Sequence, residues 1–237
     1  TLSPCHLVAS SGATFGKSPE YLAETQMIMK SHSITIPANR SVTVANLDPG
    51  GLTWSAGQAH VGDKKATGAK SVGGWEANRS PRLDLGGTRL RIGTANVGTM
   101  RKRDGEVVDM AGRRKLDFCC VQECRWKGGS SRGMGDYKFF WAGCEKGVAG
   151  VGVLVAKRWV ENVTEVRRVS ERVIVLKVKI GKRILSLLSV YAPQSGRSAN
   201  EKEEFYSLLN RTIQEGREEE GLFVCGDFNG HVGEVTD

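Results

Sequence analysis

The alternation of apolar and polar positions changes character at about residue 88. Beyond it, Arg89-Leu90-Arg91-Ile92-Gly93-Thr94 alternates as a half-buried strand does, with successive side chains on opposite faces. Glu106 to Lys115 gathers Val107, Val108, Met110 and Ala111 on one side of a short helix. Asp117-Phe118-Cys119-Cys120-Val121 predicts a buried strand. Val148 to Ala156 and Val160 to Val169 read as two strands joined through Lys157-Arg158. Val173 to Ile180 alternates, Gly181-Lys182 supplies a turn, and Arg183 to Val190 returns as the second strand of a hairpin. Ser198 with Glu201 is a capping box, and Phe205, Leu208, Leu209 and Ile213 then mark one helical face. Gly221 ends the acidic run Glu218-Glu219-Glu220, and Leu222-Phe223-Val224-Cys225 is a last buried strand. Strands outnumber helices, which predicts an α/β (α+β) layered fold.

Residues 1–87 lack this texture. Gly, Ser, Thr, Ala and Pro dominate, and no period is sustained from Pro49 to Gly74. Ile34-Thr35-Ile36 and Val42-Thr43-Val44 are candidates for short strands. The segment reads as a low-complexity, largely disordered leader, with one domain following over residues 88–237. Gly12-Ala13-Thr14-Phe15-Gly16-Lys17-Ser18 is one residue short of a phosphate-binding loop and follows no apolar strand, so it is read as a chance match.

With 237 residues and 39% hydrophobic content, the chain suits one cored domain, alone or with a tail. No apolar stretch reaches the ~18–20 residues of a bilayer-spanning helix, so no membrane association is expected. The net charge is +8, and 26 of the 34 basic and 20 of the 26 acidic residues lie from residue 88 on. A balance of this kind suits either an ordinary solvated surface or an anionic partner such as nucleic acid. The six cysteines, Cys5, Cys119, Cys120, Cys124, Cys144 and Cys225, do not form the paired spacing of a zinc site. They read as reduced thiols of an intracellular protein. The chain opens on Thr1 without a signal segment, as a fragment would.

The candidate chemistry lies at strand ends. The run Arg89–Ala95 ends in Asn96, Phe118–Val121 in Gln122-Glu123, Ile184–Val190 in Tyr191-Ala192-Pro193, and Leu222–Cys225 in Gly226-Asp227-Phe228-Asn229-Gly230. One rim of a layered sheet would then collect two carboxylates, two amides and a phenol. Such a set suits hydrolysis of a phosphate ester. A hard divalent cation takes oxygen ligands from one or two carboxylates, substrate phosphate and water. A second carboxylate can orient or deprotonate the attacking water. Each residue alone has a plainer reading: a solvated carboxylate at Glu123, a turn at Gly226–Gly230, a packing ring at Tyr191, a loop cap at Asn96.

Taken together and in order, Asn96-Val97, Val121-Gln122-Glu123, Val190-Tyr191-Ala192-Pro193 and Gly226-Asp227-Phe228-Asn229 resemble the endonuclease/exonuclease/phosphatase superfamily. The stretch Cys119 to Gly128, with Gly150-Val151-Gly152 and Glu171-Arg172-Val173, is similar to its branch of non-LTR retrotransposon endonucleases and craniofacial development protein 2-like proteins. The resemblance implies a four-layer α/β sandwich, Mg²⁺ (with Mn²⁺ able to replace it) and DNA as partner, with a nuclear site following from DNA. It implies Glu123 as metal ligand and Asn96 beside the metal. It makes Tyr191 a phosphate contact, Asp227 the proton-handling carboxylate and Asn229 a phosphate holder. Ala95 stands where the family has an aromatic residue. The family's closing Ser-Asp-His motif does not occur by Asp237, and His231 is not its histidine. The resemblance therefore implies a domain incomplete at its C-terminus, with open sheet edges and impaired phosphodiester hydrolysis. The alternatives are an inactive, retroelement-derived nucleic-acid-binding protein and a phosphatase of the same superfamily.

Overall fold

The computed structural model describes residues 90–217 and 220–229 in full, and the backbone of 25–29, 32–36, 42–47, 54–59, 82–85 and 88–89. In chain order the early elements are β1 (Thr25–Met29), β2 (His32–Ile36), β3 (Val42–Leu47), β4 (Trp54–Ala59), β5 (Arg82–Leu85) and β6 (Thr88–Asn96). Then come α1 (Asp104–Arg113), β7 (Phe118–Gln122), β8 (Gly129–Met134), β9 (Tyr137–Ala142), β10 (Val151–Ala156) and the single turn α2 (Lys157–Val160). The last are β11 (Val163–Ser170), β12 (Val173–Ile180), β13 (Arg183–Tyr191), α3 (Ala199–Gln214) and β14 (Gly221–Asp227).

Two six-stranded mixed sheets carry the fold, in the orders β5-β6-β7-β10-β9-β8 and β11-β12-β13-β14-β3-β4. Ile92, Phe118, Val151 and Val153 of the first sheet pack against Ile174, Leu176, Leu187 and Phe223 of the second. On the outer face of the first, Val107 and Ala111 of α1 cover Cys119, Val121 and Leu154. On the outer face of the second, Phe205, Leu209 and Ile213 of α3 cover Val175, Leu188 and Val224. The order is helix, sheet, sheet, helix: the four-layer α/β sandwich that the motifs implied.

Local chemistry fixes both long helices. Ser198 Oγ accepts from the Glu201 amide at 3.2 Å, the N-cap half of the expected capping box, while Glu201 Oε2 accepts from the Ser198 hydroxyl at 3.4 Å. Helix α1 has Asp104 and Glu106 in its first turn and Arg113 in its last, each matched to the helix dipole. It ends with Lys115 at φ +52°, whose N–H bonds Gly112 O (2.9 Å) while Leu116 N–H bonds Ala111 O (3.0 Å). That pattern satisfies the last carbonyls with a lysine where glycine is usual.

Several expectations change. The strand sought from Val148 begins at Val151, because Gly147 and Gly150 at φ +60° and +114° turn the chain just before it. The strand sought from Val160 begins at Val163, after the one-turn helix α2. Strands β8 and β9 were not anticipated. The expected short strands at Ile34–Ile36 and Val42–Val44 fall within β2 and β3. Strand β3 pairs parallel to β14, taking up backbone groups that would otherwise face water. The phosphate-loop-like stretch Gly12–Ser18, His231 and most of the proposed leader lie outside the described residues.

Candidate active site

Parallel pairing within each sheet aligns the polar strand ends. In the first sheet Asn96 of β6 is register partner of Gln122 of β7, and in the second Tyr191 of β13 is partner of Asp227 of β14. The two sheets face each other, so these pairs meet across the sandwich. Asn96 Nδ2 donates to Glu123 Oε1 at 2.9 Å and to Asp227 Oδ2 at 2.8 Å. Tyr191 donates its hydroxyl to Glu123 Oε1 at 2.9 Å. One amide thus ties two carboxylates from opposite sheets, and a phenol closes the network. Asn229 N–H donates to Asp227 Oδ1 at 2.9 Å, and its Nδ2 donates to the Ala192 carbonyl at 2.6 Å. The structure therefore brings together all five residues singled out in the sequence. Asn229 joins through Asp227 rather than touching Glu123.

Below the rim a buried polar latch fixes the two sheets. Gln122, fully buried, accepts from Thr94 Oγ1 (3.2 Å) and donates to Ser189 Oγ (3.1 Å) across the sandwich. Ser189 donates in turn to the Val121 carbonyl at 3.1 Å. Each partner is satisfied within the core, as buried polar groups must be. Gly226 allows the close approach of β14 to β13: a Cβ there would stand 2.0 Å from the Val190 carbonyl oxygen.

Two cations join the rim that the sequence reading had not assigned. Arg125 forms an ion pair with Glu123 Oε2 at 2.7 Å. Arg172 donates to the Tyr191 carbonyl at 3.3 Å and holds its guanidinium 5.3 Å from the Tyr191 ring centre, within cation–π range. Both lie in stretches whose family likeness was visible, but nothing in their spacing pointed them at Glu123 or Tyr191. Burial pushes the Glu123 carboxyl up. Hydrogen bonds from Asn96, Arg125 and Tyr191, with the Arg125 charge, outweigh it and hold the group below the ordinary glutamate range. Burial, with the Glu123 hydrogen bond and charge, pushes the Tyr191 phenol up to about 12, so it stays a neutral donor.

Among the described residues no group of three or more His, Cys, Asp and Glu side chains gathers to cage a metal. The donor set at the rim is carboxylate and amide oxygen, with Glu123 Oε2 turned toward the partly exposed Arg125. That fits Mg²⁺, which is commonly held by one or two carboxylates while water and phosphate fill its other positions. It does not fit zinc, which prefers four protein ligands rich in nitrogen and sulfur.

Architecture and rim together define a four-layer α/β protein whose polar site sits at the carboxyl ends of two parallel strand pairs. In sequence the chain is similar to craniofacial development protein 2 of Bos taurus, at 24% identity over 194 residues, covering 77% of this chain and 33% of the relative. It is likewise similar to craniofacial development protein 2 of Tragulus javanicus, at 26% identity over 144 residues, covering 60% of this chain and 25% of the relative. These relatives carry the name of the branch that the motifs resemble. The chain spans a quarter to a third of their length. No family model matches it. Solved structures similar to it include an AP endonuclease from Archaeoglobus fulgidus (22% identity, TM-score 0.46, covering 59% of this chain and 57% of that one). Another is the Xenopus laevis APE2 catalytic domain (14%, TM-score 0.45, 58% of each). A third is the endonuclease domain of TRAS1, a telomere-specific non-LTR retrotransposon (15%, TM-score 0.41, 59% and 60%). No helix among the described residues is long and apolar enough to cross a membrane.

Proposed function

We propose that the rim is a Mg²⁺-dependent site for hydrolysis of phosphodiester bonds in DNA. The observation that carries this reading is the Asn96 amide bridging Glu123 and Asp227 across the two sheets, with Tyr191 on the same Glu123 oxygen. Glu123 would hold the metal, which when bound supplies a Lewis acid for the phosphoryl and leaving oxygens. Asn96 fixes the spacing of the two carboxylates. Asp227, oriented by Asn96 and by the Asn229 amide, is placed to take or return a proton at its carboxylate oxygens. Tyr191 remains protonated and can turn its hydroxyl from Glu123 to a phosphate oxygen without adding charge. Asn229 reaches phosphate by releasing the Ala192 carbonyl. The positive balance of residues 88–237 favours a polyanion over a small phosphomonoester.

Nicking of supercoiled plasmid by the full chain tests this, with Mg²⁺, with EDTA, and with Glu123→Ala. Mg²⁺-dependent nicking that disappears in both other arms is the expected result. Folded, soluble chain that does not nick overturns the hydrolase reading. It would favour binding of nucleic acid without catalysis. Faster turnover of a soluble phosphomonoester than of duplex DNA would move the assignment to a phosphatase.

A further inference from the structure

The three hydrogen bonds to Glu123 are not equivalent. Asn96 and Tyr191 share Oε1, whereas Oε2 receives Arg125 at 2.7 Å. The Arg125 side chain is 45% exposed and that of Glu123 is 13% exposed, so the ion pair lies at the mouth of the rim. Both residues adopt left-handed backbone, at φ +56° and +52°. Non-glycine residues enter that region at a cost, and here the two turns bring residues i and i+2 onto one side of the chain. The Arg125 backbone is pinned on both sides: its N–H bonds the Ala149 carbonyl at 2.9 Å, and its carbonyl accepts from Arg101 Nε at 3.2 Å. Only the guanidinium is free to move.

We propose that Arg125 is the resident cation of the metal site. Its guanidinium occupies Glu123 Oε2 until a divalent cation displaces it, and this competition sets the affinity of the site for metal. The inference rests on reading Glu123 as the metal ligand. A guanidinium and a metal ion cannot both take the same oxygen lone pairs, and their like charges repel. Binding therefore requires the ion pair to open, and the pinned backbone confines the change to one exposed side chain. Once released, the guanidinium stays tethered beside the site, where a phosphate oxygen is its natural acceptor.

The test is Mn²⁺ binding to the full chain without nucleic acid, read from the electron-paramagnetic signal of free Mn²⁺. Arg125→Ala should bind Mn²⁺ about fivefold more tightly than wild type, the equivalent of an exposed ion pair of ~1 kcal/mol. Arg125→Lys, which keeps a cation within reach, should stay near wild type. Lys127→Ala removes an exposed charge that has no ion pair among the described residues, and should change affinity less than about twofold. Glu123→Gln should abolish the site. Equal tightening by Arg125→Ala and Lys127→Ala would reduce the effect to net charge and overturn the proposal. So would unchanged or weaker binding by Arg125→Ala, or no binding by either wild type or Arg125→Ala. If Glu123→Gln binds as wild type does, the metal lies elsewhere and the Glu123 reading fails. If only the Arg125 arms fail, that reading survives. Arg125→Gln serves where the alanine variant does not fold.

Discussion

A single methyl group at Gly226 should separate the strands that carry Tyr191 and Asp227. An alanine Cβ there would lie 2.0 Å from the Val190 carbonyl oxygen, 2.5 Å from Val190 Cγ2 and 2.8 Å from the Val190 carbonyl carbon. The two closest approaches cannot both be relieved by a side-chain rotation, because the oxygen belongs to the backbone of β13. Strand β14 must withdraw by on the order of 1 Å, the kind of backbone shift that overpacking forces. The Asn96–Asp227 bond, now 2.8 Å, would then stretch beyond hydrogen-bonding range. Overpacking and the lost charge-assisted bond together cost about 2–4 kcal/mol. Urea denaturation of Gly226→Ala against wild type reads the total. Exchange of the Ala192 amide, which donates to the Asp227 carbonyl at 2.9 Å, reads the local separation. A stability change within about 0.5 kcal/mol, with Ala192 protected as in wild type, would refute the steric reasoning.

Other consequences are as open to measurement. Gln122→Met keeps the volume but strips Thr94 and Ser189 of a partner, and should cost about 2 kcal/mol in urea denaturation; a loss below about 0.5 would mean the latch contributes nothing. The Glu123 carboxyl is held below 4.5, so its contribution to stability is complete above that value and is lost as pH falls through the lowered folded value. Tyr191→Phe removes one donor and should bring the Glu123 titration upward in carbon-detected NMR; an unmoved titration contradicts the assigned bond. The Tyr191 phenol, shifted from 10 to about 12, favours the folded state fully below pH 10 and progressively less as pH rises through about 12. Burial raises Tyr137 and Tyr206 as well, so ultraviolet titration should show several late tyrosines, and Tyr191→Phe should remove the part that ionises near 12; its ionisation at the ordinary value would count against the burial. In a Cys5→Ser background Cys144 should alkylate first, since backbone amides of Val148, Ala149, Gly147 and Lys146 favour its thiolate. Cys119 and Cys124, pushed by burial to about 12 and about 11, should resist until unfolding, and uniform labelling would refute this.

What the sequence revealed follows from how local each signal is. The β12–β13 hairpin was legible because its alternation and the Gly181-Lys182 turn agree, and every residue of Val173–Ile180 pairs as the turn demands. Helix α3 was legible from its cap. The rim was legible because Asn96, Glu123, Tyr191 and Asp227 each interrupt an apolar run at its end, and parallel pairing turns that shared position into proximity. Strand β8 was not, because Gly129-Ser130-Ser131-Arg132-Gly133 has neither β-branched residues nor a buried face. Arg125 and Arg172 reach the rim through left-handed turns and stacking across strands, which leave no period in a sequence. The place of β3 beside β14 depends on a pairing across most of the chain, and no local pattern specifies it.

The chemistry argued for the rim requires that the ends of the two sheets meet through Asn96 and Asp227, residues 131 positions apart. A double-mutant cycle of Asn96→Ala and Asp227→Ala, read by urea denaturation, measures that meeting directly. The expected coupling is about 1 kcal/mol or more, as for a hydrogen bond to a charged group. Additivity within about 0.3 kcal/mol would show that the two strand ends do not act on each other, and would contradict a site shared between the sheets.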